Sequence, residues 1–251
     1  MSKKVKFFHV IMLDESGSMS SIRDETISGF NETVQQIKAD AEENIDTQEH
    51  TVCLVTFNGH VDQPIWLESV DSLSEINTNS YSPGGMTALR DAIGQTIADL
   101  KKDLKDDLEG DDRVDIFLTI ITDGQDTASR EHSGSDIKEM IDSLDMDNDD
   151  SPWTIAFMGA SADIVTAGQN MGFKSTMSNQ FTADEVGTQA MFRSHNAGRN
   201  SYSKGIARGL GKASAEALYA VSSASGQAMT DEEVEKWIDE NAPEAKKEAN
   251  G

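Results

Sequence analysis

The sequence predicts an α/β domain built on a doubly wound, mostly parallel central sheet with one antiparallel edge strand and helices on both faces. Strand and helix signals alternate over roughly the first 180 residues, the mark of parallel strands joined by helical crossovers. Several strand candidates are apolar for most of their length, as strands buried on both faces are. One pair of candidates is separated only by Gly59 and His60, too short for a crossover, so one strand must run antiparallel.

The elements follow in order. Residues 5–13 (VKFFHVIML) form the first and central strand. From about Ser21 to Ala41, the residues Ile22, Ile27, Phe30, Val34, Ile37 and Ala41 recur at helical spacing, giving a long helix with one apolar stripe. Residues 51–58 (TVCLVTFN) and 61–67 (VDQPIWL) form the hairpin, where Pro64 suits a sheet edge that can spare an amide donor. A Pro-Gly-Gly loop then opens into a helix with Leu89, Ile93, Ile97, Leu100 and Leu104 on one face. Residues 113–124 (RVDIFLTIITDG) read as a strand, 136–144 as a short helix, 153–159 (WTIAFMG) as another buried strand and Ser161 to Met171 as a helix. Residues 174–181 (KSTMSNQF) are expected to form a last short strand, and 183–199 begin as a helix.

Beyond that the texture turns to Gly, Ala and Ser. The expected organisation is a domain over 1–200, a linker or loosely packed helix over 201–229, and a short acidic helix and tail over 230–251. Thr230 with Glu233 three residues later has the pattern of a capping box ahead of Val234, Trp237 and Ile238. Residues 242–251 read as a frayed end.

Composition bounds the function. Against 21 Lys and Arg stand 45 Asp and Glu, a formal charge of −24 on 251 residues. Such a chain repels nucleic acid and anionic lipid at long range. No apolar run approaches the roughly 20 residues that cross a bilayer, and the first residues lack a cleavage site, so a cytoplasmic protein is expected. Cys53 is the single cysteine, which excludes an internal disulfide and a thiolate zinc cluster, and its apolar neighbours make it a core residue. The five histidines have no metal-ligand spacing and read as structural or solvated.

Three features fall at the carboxyl ends of different strand candidates, where open α/β sheets place their ligands. They are Asp14-Glu15-Ser16-Gly17-Ser18, Gly84-Gly85-Met86-Thr87 and Asp123-Gly124. Together they offer carboxylates and hydroxyls and no imidazole or thiolate, a set that suits a hard cation: Mg²⁺ best, with Ca²⁺ or Mn²⁺ as alternatives. In an extended turn, residues two apart point the same way, so Asp14, Ser16 and Ser18 can face one point.

These residues resemble the metal-ion-dependent adhesion site of von Willebrand factor type A domains. DESGS matches that family's Asp-x-Ser-x-Ser signature, Thr87 and Asp123 fall where it carries the rest of the site, and residues 5 to about 200 follow its strand and helix order. The resemblance implies a Rossmann-like fold with the metal at its top. Ser16 and Ser18 would bind the cation directly, Thr87 would do so when a ligand is engaged, and Asp14 and Asp123 would act largely through water. An acidic residue of a partner protein completes the coordination. It further implies a non-enzymatic intracellular adaptor, with AAA+ ATPase systems among the partners of such members.

Two rival readings stand beside this one. A metal-dependent hydrolase or phosphatase would use Asp14 or Asp123 but needs a general acid or base that the loops do not offer. An RNA-associated role would rest on segment 193–212, where Arg193, Arg199, Lys204, Arg208 and Lys212 are the only charged residues. The alternative for that segment is packing against the acidic body.

Overall fold

A computed structural model describes residues 4–242 of the chain. Six strands form one sheet in the order β3-β2-β1-β4-β5-β6. The strands are β1 (Val5–Asp14), β2 (Gln48–Phe57), β3 (Val61–Ser69), β4 (Val114–Thr122), β5 (Trp153–Gly159) and β6 (Ser178–Gln180). Every pairing is parallel except β2 with β3, which runs antiparallel at the edge as the hairpin requires. The last strand is shorter than the expected span 174–181, because Ser175–Met177 coil into a 3-10 turn before β6 begins.

Helices α1 (Arg23–Glu43), α6 (Glu185–Ala207) and α7 (Lys212–Ser225) cover one face. Helices α2 (Leu89–Asp103), α4 (Gly134–Asp142) and α5 (Ala162–Asn170) cover the other, with the single turn α3 (Lys105–Leu108) trailing α2. Alternation along β1 decides the layers: Phe7, Ile11 and Leu13 enter the α1/α6/α7 core, whereas Phe8, Val10 and Met12 enter the α2/α4/α5 core. Cys53 lies in the second core, as its neighbours predict.

The Gly/Ala/Ser-rich stretch differs from its compositional reading. The proposed boundary near residue 200 falls inside α6, and residues 201–229 comprise the end of that helix, a turn and the closely packed α7. Small residues serve the crossing of the two helices: a Cβ on Gly198 would stand 2.7 Å from the Tyr219 ring, and one on Gly205 2.8 Å from Leu218. What resembles linker chemistry is therefore the condition for close helix approach. Helix α8 (Asp231–Asn241) packs Val234 and Ile238 on Leu210 and Leu218, and its capping box forms between Thr230 and Glu233. Residues 243–251, within the expected frayed end, lie outside the described residues.

The basic segment is largely taken up by the fold. Arg199 is buried against Asp40 at 2.9 Å, Lys204 and Arg208 both reach Asp231, and the buried Lys212 donates to the Trp153 carbonyl at 2.7 Å. Packing against the acidic body, the alternative to an RNA-associated role, accounts for four of its five charges.

Candidate metal centre

The three loops singled out in the sequence meet at the carboxyl end of the sheet. β1 delivers Asp14 fully buried, and β4 ends one residue before Asp123, since the two strands are adjacent and parallel. The loop before α2 is tied to the first motif through main-chain bonds: Gly84 N donates to Glu15 O at 2.8 Å and Gly17 N to Gly85 O at 3.1 Å. Gly85 holds φ at +83°, a left-handed conformation that favours glycine and turns the chain so that Thr87 faces the other two loops. Thr87 is fixed from the third loop, its carbonyl accepting the amides of Thr127 and Ala128.

The side-chain oxygens form a connected set. Asp14 Oδ1 accepts the Ser16 amide at 2.8 Å, and Ser16 Oγ lies 3.1 Å from Ser18 Oγ. Ser18 Oγ donates to Asp123 Oδ1 at 2.6 Å. With the Ser18 proton committed to Asp123, the short serine contact requires Ser16 to donate to Ser18, which leaves hydroxyl lone pairs on both serines for a further electropositive group. Burial pushes the Asp14 carboxyl up from the ordinary carboxylate range, opposed by hydrogen bonds from Thr122 and Ser16. Burial also raises Asp123, opposed by the Ser18 bond.

Gly124 marks the point of convergence. A Cβ built there would lie 3.4 Å from Thr87 Oγ1, 3.6 Å from Ser18 Oγ and 3.9 Å from Asp14 Oδ2, so oxygens of the first and second loops face a cradle on the third that a side chain would fill. Among the described residues no group of three or more His, Cys, Asp or Glu side chains is placed to hold a metal. The oxygens that converge here come instead from two carboxylates and three hydroxyls. That donor set fits a hard cation that retains part of its water shell.

Three contributors were not singled out beforehand. Thr122 Oγ1 donates to Asp14 Oδ2 at 2.6 Å, aiming the carboxylate. The only hint in the sequence is a polar residue closing an apolar strand. Tyr81, buried, donates its hydroxyl to the Asp14 carbonyl. Asp126 accepts from Arg90 and Ser129 and so braces the third loop against α2. Glu15, whose charge could have faced the cation, turns away and accepts the Ser82 amide.

A family model described as the von Willebrand factor type A domain matches residues 10–193. No curated protein matches the sequence. Among solved structures, the minor pilin PilB from Streptococcus sanguinis aligns with a TM-score of 0.52 at 11% identity, over 79% of this chain and 61% of that one. A von Willebrand factor type A protein from Catenulispora acidiphila aligns with a TM-score of 0.50 at 16% identity, over 80% and 43%. The ArnB paralog VWA2 from Sulfolobus acidocaldarius aligns with a TM-score of 0.47 at 15% identity, over 77% and 46%. The chain thus spans about half the length of these structures, and likeness at such identities establishes the fold alone.

Proposed function

The chain belongs to the von Willebrand factor type A family, whose members commonly mediate protein–protein interaction, and on that premise we propose that it is a divalent-metal-dependent protein-binding module with no enzymatic activity. Ser16, Ser18 and Thr87 would hold Mg²⁺ through their hydroxyls, with Asp14 and Asp123 beside it. Bound there, the ion supplies unneutralised positive charge, and an acidic side chain of a partner protein completes its coordination. The reading is carried by one observation: oxygens of Asp14, Ser18 and Thr87 surround the single point above Gly124. An adaptor role follows, because such a site captures a partner without changing it.

Hydrolysis finds less support. Within the three loops, the Tyr81 hydroxyl is spent on the Asp14 carbonyl and the Glu15 carboxylate on the Ser82 amide, so neither is poised to move a substrate proton. Nucleic-acid binding through 193–212 is opposed by the internal pairing of Arg199, Lys204 and Arg208.

Melting curves in Mg²⁺ and in chelator test the reading. Millimolar Mg²⁺ should stabilise the wild type by about 4 kcal/mol for micromolar affinity and leave Ser16→Ala/Ser18→Ala unmoved. A flat response in the wild type would remove the metal. Metal-dependent turnover of a phosphoester that vanishes in Asp14→Ala would replace the module with a hydrolase.

A further inference from the structure

A groove of about 480 Å³ opens beside the candidate metal centre and shares Gly124 with it. Its walls come from the start of α2, the loop after β4 and one side of α5 with the residue that follows it. Leu89, Ile164, Ala167 and Met171 make them mainly apolar. Arg90 lies along one wall, its Nη2 held by Asp126 at 3.0 Å, while its Nε–H is buried without a hydrogen-bond partner. Met86, 55% exposed, adds a further apolar group beside Thr87.

We propose that this groove is the second half of the partner-binding surface, receiving an apolar side chain of an extended partner segment two positions from the acidic residue that reaches the metal. The proposal rests on the metal-dependent reading above. In an extended strand, residues two apart share a face and stand about 7 Å from each other, so a carboxylate over Gly124 carries its second neighbour across the shared wall. Charge narrows the partner further. A body of formal charge −24 repels an acidic segment, so a partner supplies one carboxylate and is otherwise neutral or basic. Affinity beyond the metal contact then comes from short-range apolar burial, which the groove provides and the charged surface does not.

The test is selection from a displayed library of random peptides with a fixed central aspartate. It is panned against the full chain in Mg²⁺, in EDTA, and against Ala167→Glu in Mg²⁺. Ala167 is exposed on α5, so the substitution fills the groove without entering the core, and an unchanged melting temperature verifies the fold. The expected result is an Mg²⁺-dependent pool enriched in Leu, Met or Phe two positions from the aspartate. Resynthesis with Ala there should weaken binding about tenfold, and Ala167→Glu should abolish the enrichment. An Mg²⁺-dependent pool with no such preference, or the same preference in both proteins, overturns the groove and leaves the metal reading intact. If no Mg²⁺-dependent pool emerges, the metal reading fails and the groove with it.

Discussion

Two polar clusters sit on the same sheet and differ in where their hydrogen bonds end. The upper one, Asp14, Ser16, Ser18, Thr87 and Asp123, turns oxygens toward an open cradle. The inner one lies between the sheet and α6 and pairs its groups with one another, leaving His9 Nδ1 and the Nε and Nη2 of Arg199 buried without a partner. His50 Nε2 faces Gln48 Oε1 at 2.9 Å and donates to it, so His50 Nδ1 accepts from His9 Nε2 at 2.9 Å. His195 bridges Thr119 and the Tyr219 hydroxyl, each at 3.1 Å, while Tyr202 donates to Asp115. Burial, reinforced by the Arg199 charge, pushes His50 down to about 4 and His195 to about 3. Burial lifts the Asp115 carboxyl to about 6. One fold thus uses polar groups in opposite ways: closed pairs that fix α6, and an open set that invites an external charge.

The largest expected effect breaks the closed cluster. Arg199→Ala leaves the Asp40 carboxylate, 4% exposed, without its counter-ion, and urea denaturation should show a loss of about 3 to 5 kcal/mol. A loss well under 1 kcal/mol would mean that the pair does not hold α6 to α1.

The second is a pH dependence. His50 titrates near 6.5 when unfolded and near 4 when folded, so the unfolded chain binds more protons between those values and stability falls as pH is lowered through that window. The loss is on the order of 3 kcal/mol. Asp115 opposes it, since its folded form keeps a proton down from about 6 that the unfolded chain releases. His195, near 3 when folded, adds a further loss in the same direction as His50, so melting temperatures of the wild type should decline from pH 6.5 to 4, and those of His50→Gln should decline less steeply. Equal slopes would show that His50 does not set the acid limit.

Smaller again is Gly198→Ala, which places a methyl group 2.7 Å from the Tyr219 ring and 2.9 Å from its carbonyl. A cost of about 1 to 3 kcal/mol is expected from the forced separation of α6 and α7. Unchanged stability would show the crossing to be loose after all.

The contrast also explains what the sequence discloses. Continuous apolar runs announce β1, β4 and β5, and the Gly59-His60 break announces the edge hairpin. The candidate site residues were legible from their types, four of them at the ends of β1 and β4, and Thr87 in the Gly-Gly loop that precedes α2, 18 residues beyond the end of β3. Long-range bonds were not: nothing near Thr122 or Tyr81 in the chain says that their hydroxyls reach Asp14. Nor does the composition of 201–229 distinguish a linker from a tight helix crossing, since both call for small side chains. Nor was the pairing of Arg199 with Asp40 legible, since the two lie 159 residues apart in the chain.

The open cluster is tested most directly by isothermal titration of MgCl₂ into the full chain and into Ser16→Ala/Ser18→Ala. Saturable binding of one ion by the wild type, lost in the double variant while its fold persists, is the predicted result. Equal heats from the two proteins would contradict a metal held by those hydroxyls.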